Sequence, residues 1–243
     1  IHLPNIPQYL IALYGTFYAG CTSTGMNFLL QPNEIIYQLK DSGAVALLTL
    51  DSFYEQSVRK ALSTGKTDIK FVITTNVADT LEIDPSMKQQ LIKIGKVPYG
   101  KVIPIDGIKY FTFKEILANY PNDKSPDLKI DPFEDIAFLQ YTGGTTGPPK
   151  GAILTHANEI INLQQVVHQW EIDVTSGNEI FISGFPFFHL AGMFFNLGAI
   201  HYGATQLLIP DPRDVNYIAN KIIEYNPTFM ANVPTLYIML LKT

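Results

Sequence analysis

The sequence predicts an α/β fold in which parallel sheets are flanked by helices in layers. Three observations carry that expectation. Strand-like and helix-like runs alternate along the whole chain, and such alternation places helices on both faces of a parallel sheet. Ala44–Leu50 is an almost unbroken apolar run, as expected of a strand buried on both sides. Two long stretches, Ile1–Asn33 and Ile180–Pro210, contain no Asp, Glu, Lys or Arg. Each is long enough to raise the question of a membrane span, which takes about 20 apolar residues. Pro4, Pro7, Gly15, Gly20 and Gly25 interrupt the first, and Gly184, Pro186, His189, Asn196 and His201 the second. Both therefore read as buried core elements, and no transmembrane segment is expected.

Taken in order, Asn5–Ala19 reads as a helix that is apolar all round and so buried. Pro32–Lys40 is a short amphipathic helix ending near Gly43. After the Ala44–Leu50 strand come a helix at Ser52–Leu62 and a β-branched strand at Phe71–Thr75. A helix at Met87–Ile94 follows, then a short strand passing into a helix within Tyr110–Asn119. Pro121–Pro126 has turn formers and charges and no apolar residue, so a linker over 121–132 is expected to join two sheet lobes, 1–120 and 133–243. Asp135–Tyr141 is a strand. Thr155 can cap a helix running to Trp170, in which Ile160, Leu163, Val167 and Trp170 recur at helical spacing. The remaining runs are a strand at Glu179–Ser183, a buried helix at Leu190–Tyr202 and a strand at Thr205–Ile209. Asp211–Asp214 is a polar turn and cap before a helix at Val215–Tyr225, followed by a strand at Thr228–Ala231 and a helix at Thr235–Leu241.

Composition narrows the class. The chain has 243 residues, 47% hydrophobic and 16% charged, which suits a core-rich globular protein. A net charge of −5 with no basic run argues against nucleic-acid binding. The single cysteine, Cys21, cannot form an intrachain disulfide, and no basic segment precedes an apolar core at the start of the chain; a cytoplasmic protein is expected. The chain begins at Ile1 without an initiator methionine, and a fragment of a longer protein is expected.

One segment demands a chemical explanation. Tyr141–Gly151 packs four glycines, three threonines, two prolines and Lys150 into eleven residues, between a strand-like run and a helix-like run. Glycines let backbone N–H groups approach an anion unobstructed, and hydroxyls and a lysine add donors and charge. The natural target is a polyphosphate. The segment does not fit the loop G-x-x-x-x-G-K-[ST], because Pro149 and Gly151 flank the lysine. An ordinary surface turn would use the same residue types, but the strand–loop–helix context favours the phosphate reading. No His, Cys, Asp or Glu cluster has metal-ligand spacing.

Gln140–His156, reading Gln-Tyr-Thr-Gly-Gly-Thr-Thr-Gly-Pro-Pro-Lys-Gly-Ala-Ile-Leu-Thr-His, resembles the phosphate-loop signature of the adenylate-forming enzymes. That superfamily holds acyl-CoA synthetases, peptide-synthetase adenylation domains and firefly luciferase. Most members carry serine at the position of Gly143, and the glycine form after Gln-Tyr is similar to long-chain fatty-acid–CoA ligases. Pro186-Phe-Phe-His-Leu-Ala-Gly192 resembles a second family motif, and Leu13–Asn27 with Glu34–Gly43 resembles the family's early helices and strand.

The resemblance implies an incomplete large N-terminal domain of an enzyme that joins a carboxylate to ATP, expels pyrophosphate and passes the acyl group to CoA. It implies that Thr142, Gly143, Gly144, Thr145, Thr146, Gly147 and Lys150 bind the ATP phosphates, and that Thr142 helps ligate Mg2+. His189 and Gly192 would line the acyl site, and His156 would fix the loop to its helix. The partners implied are ATP, CoA and a fatty acid or other carboxylate, with peripheral membrane contact left open. An aryl- or amino-acid-activating enzyme and a non-catalytic nucleotide-binding domain are the alternatives. The family's adenine- and ribose-binding segments and its C-terminal domain do not occur here. The fragment alone is therefore expected to be inactive and, with apolar surface uncovered, to self-associate.

Overall fold

The computed structural model describes residues 1–120, 126–143, 147–170 and 177–242. Local signals set most helix ends. α1 (Pro7–Tyr18), α2 (Pro32–Asp41) and α5 (Pro85–Lys93) begin on proline, which has no N–H to leave unpaired in a first turn. Gln31 and Glu34 close a reciprocal cap on α2, and Thr112 and Glu115 do so on α6 (Phe113–Asn119). Gly43, at φ +64°, turns the chain out of α2 as expected. The helix at 51–62 comprises α3 (Asp51–Phe53) and α4 (Arg59–Leu62), with a wider π turn at Tyr54–Val58 between them. Thr155 and Asn158 bond reciprocally at the start of α7 (His156–Trp170), and Asp214 caps α9 (Val215–Tyr225). α8 (Leu190–His201) and α10 (Pro234–Leu240) complete the α-helices of the described residues.

Among the described residues the strands form three three-stranded sheets. β2 (Ala46–Leu50), β3 (Phe71–Thr75) and β4 (Lys109–Thr112) are parallel, with Leu47 beside Val72 and Val72 beside Tyr110. β7 (Ile180–Ser183) lies parallel between β8 (Thr205–Leu208) and β9 (Phe229–Met230). These sheets and their helices realise the expected α/β class. In the third sheet, β5 (Ile136–Thr142) runs parallel to β1 (Ser23–Thr24) but antiparallel to β6 (Lys150–Thr155). The glycine-rich segment therefore joins two strands of a hairpin and is not a strand-to-helix turn. α7 starts only after β6 has returned along the edge of β5.

One further expectation changes. α1 is not buried all round: Gln8, Tyr9 and Leu13 face inward, while Ile11 is 44% and Tyr18 73% exposed. Residues on either side of 121–132, of which 121–125 lie outside the described residues, share a sheet and a core cluster. β1 belongs to the same sheet as β5, and one core cluster unites Leu3, Tyr9, Leu13 and Leu50 with Phe138, Phe187 and Met193. No helix of the described residues is long and apolar enough to cross a membrane.

Candidate active site

The hairpin between β5 and β6 brings Thr142 and Lys150 together at one end of a sheet. In the register, Thr142 lies opposite Lys150 and Tyr141 opposite Gly151. Gly151 has a packing reason, because a Cβ there would stand 3.1 Å from the Tyr141 ring. Helix α2 holds both stems. The Tyr37 hydroxyl donates to the Pro149 carbonyl at 2.7 Å, and the Tyr141 hydroxyl donates to the Asp41 carboxylate at 2.6 Å. Burial and the Asp41 bond push the Tyr141 pKa up, so the phenol stays a donor. Thr142, Gly143, Gly147 and Lys150 are exposed, and nothing lies within 4 Å of a Cβ built on Gly143 or Gly147. Among the described residues no carboxylate forms an ion pair with Lys150. Gly144, Thr145 and Thr146 lie outside the described residues.

The turn from Phe185 to His189 joins β7 to α8, and residues distant in sequence hold its backbone. Asn5 grips it twice: its amide donates to the Phe185 carbonyl and its oxygen accepts from the Phe187 N–H, both at 2.8 Å. The Tyr9 hydroxyl donates to the Phe187 carbonyl at 3.1 Å. Gln140 of β5 donates to the Phe188 carbonyl at 3.2 Å, two residues before Thr142. The strand that leads to the phosphate hairpin is thus bonded directly to the residue before His189. Sequence reasoning missed Asn5, Tyr9, Tyr37 and Asp41 as positioning residues. Their partners lie 100 to 182 positions away, and no local signal announces them.

His189 is an exposed helix cap, not a core histidine. Its Nδ1 accepts the Ala191 N–H at 3.2 Å, which leaves the ring hydrogen on Nε2 as a donor. It borders an apolar cavity of about 420 Å³ between α7 and α8, floored by Phe181 and Phe229. Leu163, Val166, Phe185, Phe194 and Phe195 line its sides, and Asn162, His189 and Tyr202 supply the polar side chains. Gly192 does not reach this cavity. Its face is packed on the carbonyl of Pro186, where a Cβ would collide with the chain. His156 sits where a structural residue would, its ring edge-on to Phe17 at 5.5 Å.

The donor set fits an anion better than a resident metal. Among the described residues no three His, Cys, Asp or Glu side chains could share a cation. A hydroxyl and an ammonium group face each other across the hairpin instead. Such a set suits a metal that arrives on a polyphosphate and keeps mostly phosphate and water ligands.

Comparison with known proteins shows the family and the fold. A model of the AMP-binding enzyme family matches residues 1–243. A long-chain-fatty-acid–CoA ligase of Escherichia coli O157:H7 is 34% identical over 246 residues, covering 99% of this chain and 42% of that protein. The chain thus spans under half the length of this curated relative. The crystal structure of a long-chain-fatty-acid-CoA ligase from Archaeoglobus fulgidus superposes with a TM-score of 0.75 at 24% identity, over 100% of this chain and 41% of that one. An anthranilate CoA ligase in complex with anthranoyl-AMP gives 0.74 at 21% identity, over 97% and 39%. At these identities the two structures establish the shared fold.

Proposed function

Because the chain belongs to the family of AMP-binding enzymes, we propose that the protein containing it is an ATP-dependent long-chain fatty-acid–CoA ligase. A carboxylate oxygen attacks the α-phosphorus of ATP, the bond to the β-phosphate breaks, and pyrophosphate leaves with the electron pair. The sulfur of CoA then attacks the acyl carbon of the adenylate and AMP departs. Thr142, Thr145, Thr146 and Lys150 hold the leaving pyrophosphate, with backbone N–H groups at Gly143, Gly144 and Gly147. These donors stabilise the charge that develops on the leaving group, usually the largest contribution in phosphoryl transfer. Mg2+ neutralises phosphate charge when bound, and Thr142 is the residue of this chain that would join its ligands.

The observation that carries the fatty-acid reading is the apolar cavity beside His189, tied through Gln140 to the phosphate hairpin. Its lining offers many apolar contacts to an alkyl tail, and the Nε2–H of His189 is a donor suited to a carboxylate at the mouth. The 34% identity to fatty-acid ligases points the same way. We place the enzyme in the cytoplasm, where Cys21, exposed and free, stays reduced.

The test is carboxylate-dependent ATP–pyrophosphate exchange by the full-length protein, with fatty acids of graded length beside benzoate-like acids and amino acids. Exchange is expected with long fatty acids. Lys150→Ala should lower it on the order of 10²–10³-fold, the cost of removing one transition-state donor. Exchange driven only by aryl or amino acids would overturn the substrate. Binding of ATP without exchange for any acid would favour a non-catalytic nucleotide-binding domain.

A further inference from the structure

We propose that Gly198 sets the length of acyl chain the cavity accepts, by leaving its inner wall without a side chain. The inference rests on the fatty-acyl reading of that cavity. Glycine inside a helix is unfavourable relative to alanine, because it loses more backbone freedom on folding. α8 carries two glycines, and only one has a packing reason. A Cβ at Gly192 would collide with the Pro186 carbonyl, whereas the atom nearest a Cβ at Gly198 is Leu163 Cδ1 at 3.4 Å, an ordinary contact. Gly198 is also absent from the glycines with positive φ. Neither crowding nor backbone conformation calls for glycine at 198.

What Gly198 does border is the cavity. Leu190, Phe194 and Gly198 recur every four residues, so they form one stripe along α8, and all three line the cavity wall. Tyr202, next in the series, lines it just beyond the helix end. Gly198 stands nine residues beyond His189, roughly 13 Å along the helix axis. An acid whose carboxylate lies by His189 runs its tail down this stripe, past Phe194 and into the space beside Gly198. A side chain at 198 would fill the room used by the distal carbons of a long tail and leave the proximal room untouched.

The experiment compares the full-length protein with Gly198→Ala and Gly198→Leu. Carboxylate-dependent exchange is measured over saturated fatty acids of graded length, alongside thermal melting. Gly198→Ala should melt no lower than the parent. In Gly198→Leu, kcat/KM for the longest acids should fall on the order of ten-fold or more, the scale of a misfit in an apolar pocket, while short acids stay within about two-fold. An unchanged length profile in Gly198→Leu would overturn the proposal, as would equal loss at every length in both variants. A parent protein driven only by aryl or amino acids would sink the fatty-acyl reading and this inference together. That failure shows in the unsubstituted protein, so the two are told apart.

Discussion

His2 is fully buried, with Nδ1 2.9 Å from the Thr49 hydroxyl and its ring edge-on to Phe53. Burial holds its pKa down at about 3, against 6.5 in the unfolded chain. The unfolded state therefore binds the extra proton first. His2's contribution is fully present above pH 6.5 and is lost as pH falls toward 3, at about 1.4 kcal/mol per pH unit once well below 6.5. Urea unfolding between pH 6.5 and 4.5 should show this slope, and His2→Phe, which keeps a ring against Phe53, should flatten it. A parallel slope in both proteins would assign the acid sensitivity to other groups. At this scale the sequence was only partly informative. Thr142 and Lys150 stood out by composition, whereas His2 and Asn5 did not, because burial and a contact across 180 residues leave no local mark.

At the scale of elements, α8 offers an internal contrast. Gly192→Ala forces a methyl group onto the Pro186 carbonyl. Overpacking of this kind typically costs about 1–3 kcal/mol, whereas Gly198→Ala should gain roughly 0.5–1 kcal/mol from helix propensity. Denaturant midpoints of the two variants should move in opposite directions, and a shared direction would refute the packing account of Gly192. Elements with clear local patterns were legible: helix α9 runs over Val215–Tyr225 and strand β3 over Phe71–Thr75, as those patterns indicate. β6 was not. Lys150–Thr155 owes its strand character to pairing with β5, and strand formation depends more on such neighbours than on composition. The exposed side of α1 escaped notice for a related reason, since apolar composition says nothing about how much of a helix its partners can cover.

For the molecule as a whole, α/β layering was legible from alternation, but the joining of early and late segments was not. α9 and α10 bury Ile218 and Leu236 against each other and β7. Their outer sides carry Ile223 at 81%, Ile238 at 52% and Leu241 at 88% exposure. Apolar surface of this kind drives association. Expressed as residues 1–243, the chain should sediment as a concentration-dependent mixture of species, and Ile223→Lys with Leu241→Lys should shift it toward monomer. A strictly monomeric parent chain at high concentration would refute this.

The pairing of β1 with β5 also bears on how the protein is made. Thr24 bonds across 115 positions to the Leu139 carbonyl. At ~5–20 residues per second, the ribosome needs on the order of ten seconds to deliver β5 after β1 has been synthesised. Throughout that interval β1, within the stretch Ile1–Asn33 that holds no Asp, Glu, Lys or Arg, waits without its partner strand. Slower codons downstream would lengthen that wait, so the yield of native protein should depend on translation speed and on chaperones that shield the emerging chain.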